Sequence, residues 1–237
     1  MKEQIHTIPV TDALKEPGAC AFCVMKKKLE EDAVRFIMGP AYMEDDIRLE
    51  TNRLGFCTAH LKAMYDAQNR LGLGLMLFTH IRELGKSASE IRKVKKQGRF
   101  FGKSSDSIAF RLAQFYSEVS GSCYVCDKVS STFLRYIDTF IYIWEKDKED
   151  AKLIKEQKGY CMPHFTELLS AAGKLGRSQG ERFVEEIVTA QLFYMEELES
   201  DLDWFVQKFD FRNAGEPWKN SKDVLPRAIA FLGGEDE

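Results

Sequence analysis

The chain has 237 residues, of which 44% are hydrophobic, so it can bury one substantial core or two smaller ones without disulfides. Its net charge of -3 provides no overall field that would attract nucleic acid or an anionic membrane. The first residues lack the apolar segment of a signal peptide, and the most apolar run, residues 71–78, is too short to cross a bilayer. We therefore expect a cytoplasmic protein.

Helical periodicity is the main pattern in the first part of the chain. Apolar residues spaced three and four apart predict a helix over 24–38 that ends at Gly39-Pro40, and a second helix is expected over 42–54. A third, longer helix is expected from Leu61 to about Leu84. Two glycines within it, Gly72 and Gly74, either allow another helix to approach closely or mark a break.

A basic segment follows, and residues 85–107 are expected to form a flexible or partly helical connector. Its basic residues are Lys86, Arg92, Lys93, Lys95, Lys96, Arg99 and Lys103, and its acidic residues are Glu90 and Asp106. Because Phe100 and Phe101 lie among these cations, the connector could also bind nucleic acid through phosphates and stacked bases. The rest of the chain offers no basic surface to extend such a patch, which favours a solvated linker.

The second part of the chain also predicts long helices. Residues 129–144 place on one face Val129, Phe133, Tyr136, Ile137, Phe140 and Trp144, and a charged helix is expected to continue to about residue 158. Further on, apolar residues spaced alternately four and three apart over 184–209 form a heptad seam that is interrupted at Gln191. This seam indicates a core helix of a bundle, or alternatively a coiled coil that would make a homodimer. The tail is expected to form one short helix that docks Trp218 and Leu232.

A cysteine and histidine motif occurs twice. The segment "LGFCTAH", residues 54–60, returns as "KGYCMPH", residues 158–164, and a C-x-x-C pair precedes each of them. The order C-x-x-C and then G-[FY]-C-x-x-H, repeated after about a hundred residues, indicates a duplicated unit. We predict an all-α fold of two homologous helical-hairpin halves packed as a bundle, each half with a Cys3His metal site. The predicted divisions are 1–84 and 108–212 for the halves, 85–107 for the connector, and 213–237 for the tail.

Every cysteine of the chain belongs to one of these motifs. In a reducing compartment such cysteines are metal ligands more often than disulfide partners, and three cysteines with one histidine are a recognised ligand set for structural zinc. Two ligands three residues apart lie on the same side of a first helical turn, so each pair can bind one ion in bidentate fashion. We predict two zinc ions per chain, one bound by Cys20, Cys23, Cys57 and His60 and the other by Cys123, Cys126, Cys161 and His164.

Other kinds of site are less well supported by the pattern. An iron-sulfur cluster remains an alternative, because thiolate-rich sites with a histidine can hold one. A thioredoxin-like redox pair is disfavoured, since no βαβ context surrounds either C-x-x-C. A complete Cys3His set leaves no open position for a catalytic water, so we predict no catalytic residues and do not favour an enzyme. The remaining histidines, His6 and His80, are expected to be surface or core residues rather than ligands.

The chain resembles a known family along nearly its whole length. The resemblance is carried by "TIPVTDAL", "CAFC" and "LGFCTAH", then by "CYVC" and "KGYCMPH", and finally by "FDFRNAGEPWKNSKDVLPRAIAFLGG". These segments are similar to an uncharacterised bacterial family, classed as a domain of unknown function, that has duplicated C-x-x-C and G-[LFY]-C-x-x-H motifs. The resemblance implies a bacterial cytosolic protein and the same ligand positions, and it implies no activity.

The sequence therefore predicts a zinc-binding helical protein of non-enzymatic character, a binding or scaffold protein with an unidentified protein partner. Two alternatives of other classes stay open. One is an iron-sulfur redox or sensor protein, and the other is a nucleic-acid-binding module that uses the basic connector.

Overall fold

The structure is a computed structural model that describes residues 6–18, 20–93, 107–146 and 149–234. In these ranges all regular secondary structure is helical, which confirms the predicted all-α class. The α-helices are α1 (Thr7–Lys15), α2 (Ala21–Met38), α3 (Asp45–Leu54), α4 (Thr58–Asp66), α5 (Arg70–Lys93), α6 (Ile108–Ser120), α7 (Tyr124–Lys146), α8 (Ala151–Lys155), α9 (Met162–Ala172), α10 (Arg177–Gln207) and α11 (Val224–Gly233). Short 3-10 helices cover Pro40–Met43, Phe211–Asn213 and Lys219–Asp223.

The chain divides into two compact units. Unit 1 comprises the described residues of Met1–Lys28 and Phe133–Glu237, and unit 2 comprises those of Leu29–Thr132. The division falls within α2 and within α7, so each of these helices contributes to both units. Each unit therefore takes residues from both copies of the sequence motif, and its bounds differ from those of the sequence halves.

Unit 2 is built on a core of aliphatic and sulfur-containing side chains. The end of α2 supplies Ile37, α4 supplies Met64 and α5 supplies Met76, all fully or almost fully buried. The beginning of α7 completes this core with Val125 and Val129. The core places the first turns of α4 and α7, where the motif residues lie, against the same set of apolar side chains.

Unit 1 has an aromatic core on the predicted face of α7. Five of the six residues of that face belong to unit 1 and Val129 belongs to unit 2, and all six are buried, which confirms the helical prediction for 129–144. The Phe22 ring, at the start of α2, packs against Phe140 with a centroid distance of 5.0 Å and against Tyr160 with 5.7 Å. Trp144 packs edge-on against Phe183 of α10 at 5.0 Å.

Most of the predicted heptad seam of α10 is used inside unit 1. Leu198 packs with Val224 and Phe231 of α11, and Leu202 and Phe205 join the same cluster. Among the seam residues, Met195 and Phe209 have exposed side chains. The prediction of a core helix is therefore confirmed, while dimerisation through the 184–209 helix stays a prediction.

The long helix that was predicted from Leu61 to Leu84 is interrupted. It divides into α4 and α5 at residues 67–69, where Gln68 adopts a positive φ of 63°. Neither glycine marks the break. Gly72 lies close to Tyr42, so the expected close approach is confirmed there, whereas a side chain at Gly74 would meet no atom within 4 Å.

Other predicted helix boundaries also differ from those in the structure. The helix expected over 42–54 is shorter, because a 3-10 turn occupies Pro40–Met43 and α3 begins at Asp45. The charged helix expected beyond Trp144 ends at Lys146, and α8 is separate. Helix α5 extends to Lys93 and so includes the first part of the connector, while residues 94–106 lie outside the described residues.

The tail forms α11, and the docking residue differs from the prediction. Trp218 packs against Phe205 at 5.9 Å as expected, but Leu232 is 61% exposed. Val224 and Phe231 are the buried apolar residues of α11 instead, because they face Leu198 of α10.

No helix among the described residues combines the length and the apolar character that a membrane crossing requires.

Candidate metal centres

Each of the four motif pairs opens a helix. Cys57 and Cys161 occupy the N-cap positions of α4 and α9, so His60 and His164 fall in the first turns of these helices. The carbonyls of Cys20 and Cys123 accept the first backbone hydrogen bonds of α2 and α7, from Val24 and Asp127. In α7 the backbone N–H of Cys126 donates to Cys123 Sγ at 3.5 Å, and this contact favours the thiolate form of Cys123.

The first group of ligand atoms lies within unit 1. Its members are Cys20, Cys23, Cys161 and His164, and we call this group cluster 1. The Nδ1 atom of His164 lies 3.0 Å from Cys161 Sγ, 3.4 Å from Cys23 Sγ and 3.8 Å from Cys20 Sγ. The sulfurs of Cys23 and Cys161 are 3.5 Å apart. Cys20 is half-buried, while the other three side chains of cluster 1 are buried.

The second group lies within unit 2. Its members are Cys57, His60, Cys123 and Cys126, and we call this group cluster 2. The Nδ1 atom of His60 lies 3.1 Å from Cys57 Sγ and 3.4 Å from both Cys123 Sγ and Cys126 Sγ. The sulfurs of Cys57 and Cys126 are 3.8 Å apart. Cluster 2 differs from cluster 1 in having one exposed ligand, Cys126.

The grouping of the eight residues corrects the sequence prediction. We expected each C-x-x-C to join the C-x-x-H that follows it, but each joins the C-x-x-H of the other copy. The predicted sets Cys20, Cys23, Cys57, His60 and Cys123, Cys126, Cys161, His164 are therefore wrong as sets, although all eight residues lie in one cluster or the other. The reason is that α2 and α7 each run on from one unit into the other, so the chain leaves a unit before it reaches the next motif.

The dimensions of both clusters suit a single tetrahedral ion. In each cluster the four ligand atoms all lie within 4.8 Å of one another. Zinc bonds of about 2.3 Å to sulfur and about 2.0 Å to nitrogen place two sulfurs about 3.8 Å apart and a sulfur and a nitrogen about 3.5 Å apart. The measured separations of 3.0–3.8 Å lie close to these values. Both groups could therefore hold a metal ion.

Proton binding within the clusters opposes metal binding. In cluster 2, hydrogen bonding to Cys123, against the effect of burial, raises the pKa of His60 to about 9. Burial together with the neighbouring Cys123 raises the pKa of Cys126 to about 12. In cluster 1, hydrogen bonding to Cys161 raises the pKa of Cys20 to about 11. A metal that binds must displace these protons, because only thiolates and neutral imidazole are ligands.

A buried amide fixes the position of the motif in cluster 1. The Tyr160 backbone N–H donates to Oε1 of Gln191 at 2.9 Å, and Nε2 of Gln191 donates to the Tyr160 carbonyl at 2.8 Å. Gln191 is 4% exposed and lies on α10. Gln191, the polar residue that interrupts the heptad seam, thus holds the backbone next to Cys161 in place. A polar residue at a core position of a seam was the signal for this role.

Aromatic rings close one side of cluster 1. The His164 ring packs against Phe133 with a centroid distance of 5.2 Å and against Phe22 with 6.1 Å. At the end of α11, a side-chain carbon at Gly234 would lie 3.8 Å from Cys23 Sγ and 3.9 Å from Cys161 Sγ. The tail therefore covers part of the cluster, a contact that no local sequence pattern indicates.

Backbone contacts hold the two motif segments of cluster 2 together. The hydroxyl of Ser122 donates to the Leu54 carbonyl at 2.7 Å, and the Tyr124 N–H donates to the Gly55 carbonyl at 2.9 Å. Gly55 ends α3 with φ of 60°, as expected for a C-terminal cap, and its N–H donates to Thr51. These contacts set the first turn of α7 beside that of α4.

The two histidines outside the motifs are not ligands in either cluster. His80 donates from Nδ1 to the Asn52 carbonyl at 2.9 Å, and its Nε2 would lie 2.8 Å from a side-chain carbon at Gly55. His6 packs against Tyr136 at 5.4 Å. His80 thus supports the turn that carries Cys57, a role that sequence reasoning missed because its partner is a backbone carbonyl.

Comparison with known proteins gives one relationship. No curated protein and no solved structure matches the chain. One family of unknown function does, and its sequence profile covers residues 1–237, which include all eight cysteine and histidine residues of the two clusters. The chain therefore belongs to DUF6062, a family of unknown function.

Proposed function

We propose that this protein binds two zinc ions, one in cluster 1 and one in cluster 2, and that it acts without catalysis as a cytoplasmic binding or scaffold protein. The observation that carries the proposal is the spacing of the ligand atoms around His60 and His164, which matches the edges of a single-ion tetrahedron.

A structural role for the metal follows from the ligand set and its placement. Three sulfurs and one nitrogen complete a tetrahedron and leave no position for water or substrate. Each ion would join two helix starts that are more than sixty residues apart in the chain, such as Cys57 of α4 and Cys123 of α7. Metal binding would then contribute directly to folding free energy.

The ligand spacing disfavours the iron-sulfur alternative. In an iron-sulfur cluster the four protein ligands are divided among two or more iron atoms, so some ligand atoms lie further apart than the ligands of one ion. All four ligand atoms of each group lie within 4.8 Å of one another, which favours one ion at each site.

Metal analysis of protein purified without oxygen tests the zinc proposal. We expect colourless protein with about two zinc ions per chain. Brown protein rich in iron and acid-labile sulfide would contradict the zinc proposal and favour the redox or sensor alternative.

The proposed binding role is supported by exposed side chains rather than by a defined interface. A protein partner remains a proposal, as does a homodimer through Met195 and Phe209 of the 184–209 segment, which light scattering of the intact protein would test. The nucleic-acid alternative depends on the basic connector, of which residues 94–106 lie outside the described residues. Nucleic-acid binding that survives neutralisation of Arg92, Lys93, Lys95 and Lys96 would contradict that alternative.

A further inference from the structure

A large cavity in unit 1 lies beside cluster 1. Its volume is about 940 Å³, which falls within the usual range for small-molecule sites. The wall is formed by the end of α1 and the loop after it, the end of α8 and the loop after it, one residue of α10, and one side of α11. The cavity is therefore large enough to hold a small molecule between several elements of the same unit.

The hydroxyl group of Tyr160 makes no hydrogen bond among the described residues. Tyr160 belongs to the cavity wall and is 2% exposed, and its backbone N–H and carbonyl are both paired with Gln191. A buried hydroxyl without a partner lowers the stability of the fold, so such a group in a native structure requires an explanation. The hydroxyl is not sealed off by protein, so it is open to a molecule in the cavity.

The metal motif does not require this hydroxyl. Tyr160 is the aromatic residue of the second G-[FY]-C-x-x-H motif, and the same position of the first motif is Phe56. Phe56 packs against the core of unit 2, and the Tyr160 ring packs against Phe22 at 5.7 Å. A ring without an oxygen therefore suffices beside a cluster, and the oxygen of Tyr160 is left for another role.

The rest of the wall includes a large apolar and aromatic surface. Tyr194 stands against the backbone of Gly159 and packs edge-on against Phe231 at 5.7 Å, which fixes its ring. Leu14 and Ile229 add aliphatic surface. A ligand with an apolar body would therefore gain free energy by leaving water.

The charges around the cavity balance. Three basic and three acidic side chains contribute to the wall, namely Lys15, Lys158, Arg227, Glu16, Glu156 and Asp223. Arg227 is further neutralised by ion pairs to Asp201 at 2.7 Å and to Asp223 at 3.1 Å. Because neither sign is in excess, the cavity does not select an anion or a cation, and a neutral ligand suits it best.

We propose that this cavity binds a neutral, mainly apolar small molecule with a hydrogen-bond acceptor, and that the Tyr160 hydroxyl donates to this acceptor. Binding would supply the partner that the hydroxyl lacks, while the apolar body of the ligand leaves water. A few polar groups that fix the orientation of a mainly apolar ligand are typical of small-molecule sites. The inference goes beyond the proposed function, because the ligand makes no bond to the metal.

Prodan, a neutral naphthalene with a ketone oxygen, tests the proposal on the full chain as purified. Its fluorescence rises and shifts to shorter wavelength when it leaves water, so a titration gives both the Kd and the number of bound molecules. We expect about one bound Prodan per chain. We also expect 2-acetylnaphthalene to displace it at about tenfold lower concentration than 2-naphthoate, which has the same ring system and a negative charge. Absence of Prodan binding, or displacement by both compounds at equal concentration, would overturn the proposal.

The role of the hydroxyl is tested by Tyr160→Phe. This variant removes only the donor, so the Kd for Prodan should rise about fivefold while the Tm stays unchanged or rises. Tyr142→Phe, at an exposed position of α7 outside the cavity wall, is the matched control and should change neither value. An unchanged Kd in Tyr160→Phe would refute the proposed hydrogen bond. A lower Tm would refute it as well, since the hydroxyl would then have a partner within the protein.

Two variants on α11 test whether Prodan binds in this cavity. Ile229 and Leu232 are 63% and 61% exposed, and of the two only Ile229 belongs to the cavity wall. Ile229→Trp should raise the Kd for Prodan because the larger side chain changes the shape of the wall, and Leu232→Trp should leave it unchanged. An equal effect of both variants would contradict binding in the cavity.

Discussion

Gln191 is the clearest case of a single residue that sets the geometry of a candidate metal site. It is buried on α10, and both polar atoms of its amide are hydrogen-bonded to the backbone of Tyr160, the neighbour of Cys161. The amide thus replaces an apolar seam residue and holds the motif loop against the long helix.

Replacement of this amide should weaken unit 1. Gln191→Leu leaves the Tyr160 N–H and carbonyl without partners, and we expect the free energy of unfolding to fall by about 2 to 4 kcal/mol in chemical denaturation. Gln207→Leu, on the exposed side of the same helix, is the control and should change it by less than about 0.5 kcal/mol. Similar losses of unfolding free energy in the two variants would contradict a stabilising role of the hydrogen bonds between Gln191 and Tyr160.

Protonation should control metal affinity at cluster 2. His60 and Cys126 have raised pKa values of about 9 and about 12, so at neutral pH both hold protons that the metal must displace. Affinity should therefore rise with pH between about pH 7 and pH 9, by more than about one log unit per pH unit, since the metal displaces the whole proton of Cys126 and part of that of His60. Competition against a chromophoric chelator measures this slope. An affinity independent of pH in this range would contradict the assignment of these residues as ligands.

At the scale of helices, the candidate metal sites depend on where the helices begin more than on how long the helices are. The ligand pairs open α2, α4, α7 and α9, and helix N-termini stabilise thiolates wherever they face one. Helix α5, by contrast, carries no ligand and supports cluster 2 through His80 and the unit 2 core. Substitutions in α5 should therefore affect stability through packing.

Substitutions at Gly72 and Gly74 of α5 test this expectation. A side-chain carbon at Gly72 would lie 2.7 Å from the Asn69 amide and 3.0 Å from the Tyr42 ring, whereas one at Gly74 meets open space. Gly72→Ala should destabilise the protein by about 1 to 2 kcal/mol, and Gly74→Ala should stabilise it by about 0.5 to 1 kcal/mol. Thermal denaturation checks both signs. Two shifts in the same direction would contradict the packing described for Gly72.

The elements also show which parts of the structure were predictable from the sequence. The faces of α7 and α10 were, because helical periodicity is local, and so were all eight cluster residues, because a pair three residues apart already lies on one helical turn. The break between α4 and α5 was missed because it lies at 67–69, where Gln68 adopts a positive φ without a glycine. The grouping of the pairs was missed because it depends on contacts such as Ser122 to Leu54, between residues far apart in sequence.

At the scale of the whole molecule, the two clusters join segments from both copies of the motif. Cluster 1 joins the start of α2 to the start of α9, and cluster 2 joins the start of α4 to the start of α7. Each metal would thus join two segments of its own unit that are far apart in the chain, and loss of either metal should loosen that unit first.

The crossed grouping of the ligands is tested most directly by the zinc content of two double variants. Cys20→Ser with Cys161→Ser removes two ligands from cluster 1 and none from cluster 2, whereas Cys20→Ser with Cys57→Ser removes one ligand from each. After gel filtration, the zinc content is measured by inductively coupled plasma mass spectrometry. We expect about one zinc ion per chain in the first variant and nearly none in the second. The opposite result, zinc lost from the Cys20 and Cys161 variant and one ion retained in the Cys20 and Cys57 variant, would contradict the grouping and restore the ligand sets that follow the sequence halves.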